Sequence, residues 1–163
     1  MSRKSAVILA VVGTAVAAGL IYLFASGFIH RQIQLSQLGA NSQKWESQSA
    51  RHYRMNVSIL CFCPFGDRMP LTVEVKDGKL ISVVDNKGQA VPADDPLRTM
   101  DDSQLLTVEG LFGYTRDAIL RADETTVSYD PQTGYPVSIS VDWIKMAMDD
   151  ELGVQVSELH VLP

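Results

Sequence analysis

Hydrophobic positions change their spacing several times along this chain, and each change marks a different kind of element. From Ala6 to Ile29 the residues read AVILAVVGTAVAAGLIYLFASGFI, with no charge among them. As a helix that run is about 36 Å long, more than a hydrocarbon core of about 30 Å requires. It continues for 12 positions past the small-residue site Ala15-Val16-Ala17. That is too far for the apolar core of a cleaved leader, typically about 7–15 residues. A retained transmembrane anchor is therefore expected over residues 1–29. Residues 30–52 are polar, with a ragged apolar stripe of Ile33, Leu35, Leu38 and Trp45. They predict a juxtamembrane helical linker, interrupted near Gly39-Ala40-Asn41.

From Tyr53 the period becomes two. Tyr53, Met55, Val57, Ile59, Cys61 and Cys63 share one face of a strand that Pro64 ends. Leu71, Val73 and Val75 alternate with Thr72, Glu74 and Lys76, and Asp77-Gly78 follows, a pair suited to a two-residue type I′ turn. That turn sets Val75 opposite Leu80, Val73 opposite Ser82 and Leu71 opposite Val84. Residues 86–103 hold Gly88, Pro92, Pro96 and four Asp, and read as a long surface loop.

Helical spacing returns with Val108, Leu111, Phe112, Ala118, Ile119 and Ala122, so a helix is predicted over 108–122. Thr107 is its N-cap and Glu109 lies in its first turn. A second hairpin follows, from Val127 and Tyr129 through the turn Asp130-Pro131-Gln132-Thr133-Gly134 to Tyr135, Val137, Ile139 and Val141. After a Met- and acid-rich connection, Val154 to Leu162 reads as the last strand. The order helix, three strands, helix, three strands predicts an α+β domain over 53–163, with an antiparallel sheet of about six strands and one or two packing helices.

Charge narrows the partners. Arg3 and Lys4 precede the apolar run, so the rest of the chain carries 12 basic and 19 acidic side chains, net −7. An acidic domain is a poor match for nucleic acid, which is bound through basic patches, and for anionic lipid surfaces. The weak excess of positive charge ahead of the run places the domain outside the cytoplasm.

Candidate chemistry is sparse. Cys61 and Cys63 are the two cysteines. Side by side on one face of an extended strand, their Cα atoms would lie about 6.6 Å apart, at the far edge of the disulfide range. They read either as small core residues or a short bridge in an oxidising compartment, or as a redox pair or two soft metal ligands. His30, His52 and His160 match no zinc spacing. Met146 and Met148, beside Asp149-Asp150-Glu151 and Asp142, read as gap-filling methionines and a solvated acidic turn. No calcium-loop spacing is present. No G-x-S-x-G, phosphate loop or G-x-G-x-x-G occurs.

Several pieces together resemble a known family. They are the strand ending Cys61-Phe62-Cys63-Pro64, the Asp77-Gly78 hairpin, Thr107-Val108 opening a helix with Leu111-Phe112, and Tyr129-Asp130-Pro131 leading to Gly134-Tyr135-Pro136 with Ile139 and Asp142. The set, over roughly residues 45–161, resembles the bacterial domain-of-unknown-function family 6174, uncharacterised secreted or lipoprotein-like α+β domains. The chain departs in having a membrane run where many relatives have a lipoprotein signal; either device tethers a domain. The resemblance implies fold and location, and no activity.

The expectation is a single-pass bacterial membrane protein held in lipid through residues 6–29, with an extracytoplasmic domain. It is expected to be a non-enzymatic, protein-binding accessory subunit of a membrane complex, with no catalytic, metal or cofactor residues and no nucleic-acid partner. The alternative is a thiol-redox or metal-handling protein using Cys61 and Cys63.

Overall fold

The computed structural model describes residues 27–99 and 101–163. The expected membrane run therefore lies almost wholly outside the described residues. Among those described, no helix is long and apolar enough to cross a membrane. The chain divides between Ser36 and Gln37 into two units. Residues 27–47 are helical, and the stretch 37–47, α1 below, belongs to the unit Gln37–Pro163. The break expected at Gly39-Ala40-Asn41 does not occur: Asn41 Nδ2 donates to the Gln37 carbonyl at 2.9 Å, one turn back along the helix. Leu38 and Trp45 of the expected stripe are buried, and Ile33 is exposed.

The larger unit is built on one sheet. Its strands are β1 (His52–Leu60), β2 (Leu71–Lys76), β3 (Lys79–Val84), β4 (Glu124–Tyr129), β5 (Pro136–Asp142) and β6 (Glu151–Val161). Their order is β3-β2-β1-β6-β5-β4, antiparallel at every pairing. Two three-strand meanders thus meet in the middle, where the first strand pairs with the last. The alternation of β1 explains its place: Tyr53, Met55, Val57 and Ile59 all lie in the core. Their β6 neighbours Val154 and Val156 are buried on the same face, opposite Ile59 and Val57. Arg54, Asn56 and Ser58 project from the other face, in line with Thr72, Glu74, Gln155 and Ser138.

The first hairpin has the expected turn, with φ of 50° at Asp77 and 71° at Gly78. Its register holds at Val75 opposite Leu80 and then shifts. Val73 faces Val83 and Thr72 faces Val84, because a bulge between Glu74 and Val75 gives Ile81 no partner. Without that extra residue Val83 would fall on the solvent face; with it Val83 is buried and Ile81 is exposed.

The stretch expected to be a surface loop contributes to the core. Val91 and Leu97 are buried, a short helix α2 runs Pro96–Thr99, and a 3₁₀ segment runs Asp101–Leu106. Arg68 pairs with Asp95 at 3.0 Å and ties this segment to the loop after β1. Helix α3 (Val108–Arg121) starts as expected: the Thr107 hydroxyl accepts the Gly110 N–H at 3.0 Å. Its buried residues include Tyr114 and Thr115 as well as the expected stripe. In the second hairpin the Asp130 carboxylate accepts from Gln132 N, Thr133 N and Thr133 Oγ1, which holds its pKa below the ordinary carboxylate range, the Thr133 hydroxyl contributing most.

Candidate functional site

Two places gather chemistry-bearing side chains. The first surrounds Tyr53 at the head of β1. The Tyr53 hydroxyl accepts the backbone N–H of Val108, the first residue of α3, at 2.9 Å and donates to Glu109 Oε2 at 2.7 Å. Trp45 Nε1 donates to Glu109 Oε1 at 3.2 Å, and the Trp45 ring meets Tyr53 and Tyr135 edge-on, with centroids 5.4 and 6.1 Å apart. Burial, then the Glu109 charge, drive the Tyr53 pKa far up. The phenol is therefore a fixed neutral donor, not an acid. A cleft of about 340 Å³ opens beside these residues, lined by Ser42, Glu46, Ser49, Arg51 and Phe112 among others. Both Glu109 oxygens already accept hydrogen bonds, so the carboxylate acts as a brace joining α1, β1 and α3. The sequence showed Glu109 as a first-turn acid; that it serves two aromatic side chains from distant segments has no local signature.

The second place is the opposite end of β1, about 26 Å away by strand length. Here the structure corrects the sequence reading of the cysteines. The strand stops at Leu60, opposite Gly153, and Cys61 and Cys63 lie in the bend beyond it, half-exposed, not on the buried face. Leu60 lies over Gly153 at this last pair: a Cβ on Gly153 would sit 3.2 Å from that of Leu60. Freed from the ladder, the chain turns, the two Cα atoms come to 5.2 Å, and the cysteines form a disulfide. Phe62, between them, is 87% exposed. A bridge across three residues removes little unfolded-state entropy, about 1.6 kcal/mol by the loop-closure relation, against about 3 for a 15-residue loop.

The β5–β6 connection, residues 143–150, leaves the sheet at this same end. Trp143 is anchored inward, edge-on to Tyr114 at 6.0 Å and under Arg121 at 5.8 Å. Beyond it Met146 and Met148 are 93% and 91% exposed, so the gap-filling role expected of them is not what they do. The acids that follow interact with one another. Asp142 has its pKa raised, first by burial and then by Asp150, Glu151, Asp123 and Glu124. Asp142 Oδ1 and both Asp150 carboxylate oxygens are enclosed without a hydrogen-bond partner. Lys145 pairs with Glu124 at 3.0 Å. Among the described residues no group of three or more His, Cys, Asp or Glu side chains is placed to hold a metal ion. His52 and His160 lie on paired strands at the other end, His160 opposite Arg54, so neither histidine joins the cysteines.

This end therefore combines a disulfide, exposed apolar side chains (Leu60, Phe62, Ile144, Met146 and Met148) and a border of carboxylates. The family model described as "Family of unknown function (DUF6174)" matches residues 37–161, nearly all of the larger unit. No curated protein and no solved structure matches the chain.

Proposed function

The chain belongs to the family of unknown function DUF6174, and from that premise we propose that it is a membrane-tethered extracytoplasmic domain that works by binding a polypeptide at the Phe62–Met146–Met148 end of its sheet. The exposed apolar side chains at this end carry this reading. Large apolar side chains held in water at one end of a sheet are costly to display and are typical of protein-binding surfaces. Methionine adds adaptability, because its unbranched thioether repacks against different partners. The disulfide supports an oxidising compartment. The apolar run 6–29 supports the tether; its described tail, residues 27–29, is helical with Phe28 and Ile29 exposed. The carboxylate border favours a partner with basic residues and disfavours anionic lipid. In this reading the domain is an accessory subunit without acid–base or metal catalysis of its own.

The test is site-specific photo-crosslinking in intact bacterial cells, with the reactive residue at position 62, 146 or 79. Positions 62 and 146 are expected to give polypeptide adducts of discrete mass, and position 79, at the β2–β3 turn, none. Equal yields at all three positions would refute the docking surface. Protease added to spheroplasts is expected to remove the C-terminal domain; full protection would refute the orientation.

A further inference from the structure

We propose that the Cys61–Cys63 disulfide exchanges with paired thiols of the polypeptide bound at this end of the sheet. This rests on the docking reading above and assigns that site a chemistry.

Three observations carry it. The bond lies past the last paired residue of β1, in a half-exposed bend; an attacking thiolate must reach a sulfur, and a strand-face cysteine in the core would deny it. The bond spans three residues and no ladder hydrogen bond depends on it, since β1–β6 pairing ends at Leu60 and Gly153. The oxidised and reduced forms can therefore share one fold at little cost, whereas a bridge over a long loop contributes more to stability. Finally, the residue between the cysteines is the fully displayed Phe62, so apolar contact with a bound chain brings that chain directly over the sulfurs.

The exchange balances without any further group. A thiolate of the bound polypeptide attacks Sγ of Cys61 or Cys63, forming a mixed disulfide and releasing the other cysteine as a thiolate. A second thiolate of the same polypeptide attacks its own sulfur in that mixed bond. The polypeptide leaves with a disulfide, and Cys61 and Cys63 are left as two thiols. Two electrons and two protons have passed from its thiols to theirs. A disulfide-bearing oxidant returns the pair to its starting state by the same steps in reverse.

The probe is a short synthetic peptide with two cysteines flanked by leucines and lysines, added reduced to the full chain in detergent. Dithiothreitol serves as a thiol that cannot dock. We expect the peptide to be oxidised as Cys61 and Cys63 become alkylatable. In F62S/M146S/M148S the ratio of peptide rate to dithiothreitol rate is expected to fall about tenfold, equivalent to about 1.4 kcal/mol. Lys79→Ala should leave the ratio unchanged. C61S/C63S should bind the peptide without oxidising it, and Cys63→Ser alone, given the peptide in its oxidised disulfide form, should trap a mixed disulfide through Cys61 as the peptide's other cysteine leaves as a thiolate. If C61S/C63S binds the peptide but the native chain never exchanges with it, exchange is overturned and docking stands. If neither binds it, or the triple variant keeps the native ratio, the docking surface and the exchange built on it both fall.

Discussion

Replacing Tyr53 with Phe removes one oxygen and two hydrogen bonds while leaving the ring in place. The edge-on packing against Trp45, at 5.4 Å between centroids, is retained, so the loss is confined to polar terms. The Val108 N–H is buried at the start of α3 and its bond is to the Tyr53 oxygen; a buried donor left unpaired costs about 1–3 kcal/mol. Glu109 loses one donor but is open to solvent on that side, which adds about 0.5 kcal/mol. The sum is about 2.5 kcal/mol. For a unit of about 127 residues, at about 2.1 cal/mol/K per residue, this lowers the melting temperature by about 9 °C. Urea titration of the full chain in detergent, followed by tryptophan fluorescence, reads the change, because Trp45 lies on the same carboxylate. Thr107→Ala, which removes the ordinary N-cap of the same helix, costs about 1 kcal/mol. A Tyr53→Phe loss below that of Thr107→Ala would refute the claim that the phenol is the principal tie at this helix end.

Gly134 has φ of +87°, and a Cβ there would sit 2.5 Å from the Asn41 carbonyl oxygen of α1. Gly134→Ala is therefore expected to cost at least about 2 kcal/mol in the same titration; a neutral result would mean that α1 does not pack on the β4–β5 turn. Asp142 binds its proton more tightly folded than unfolded, so its contribution to stability is greatest below the ordinary carboxylate range and is lost as pH rises through its raised pKa. Asp142→Asn should raise the melting temperature at neutral pH, with the advantage shrinking toward acid; a less stable variant at neutral pH would contradict the crowding with Asp150 and Glu151. Cys61→Ser with Cys63→Ser should cost no more than about 1.6 kcal/mol in thermal melts. A loss of 4 kcal/mol or more, on the scale of about 2–5 for removing a structural disulfide, would make the bridge a structural staple.

Local signals carried most elements. Alternation from Tyr53 to Ile59, the Asp77-Gly78 turn, the Thr107 cap and the Asp130-to-Gly134 turn each depend on neighbours within a few residues, and each has its counterpart in the structure. What the sequence left open is set by distant partners. Alternation assigns Cys61 and Cys63 to a face, but pairing with β6 stops at Leu60 opposite Gly153, and the chain bends there instead of continuing the strand. The Ile81 bulge likewise preserves Val83 in the core at the expense of an even register. Val91 and Leu97 sit among Gly, Pro and Asp, so their burial has no periodicity to announce it. The exposure of Met146 and Met148 is decided by how Trp143 anchors the loop before them. The family assignment came through; the exposed apolar end of the sheet did not, because its members come from segments more than 80 residues apart.

The meeting of β1 with β6 at the centre of the sheet governs when this domain can finish folding. A chain that emerges amino end first delivers β1, β2 and β3 early, and their hairpin pairings are local. The remaining edge of β1 stays open until residues 151–161, which follow it by about 90 residues, are delivered. During that interval the nascent domain shows the bare backbone of a long strand whose inward face is wholly apolar, the kind of edge that recruits other chains. The stretch 153–157, which carries the buried Val154 and Val156, closes that edge against residues 56–60, so the exposure of this part of the first strand ends when these five residues pair.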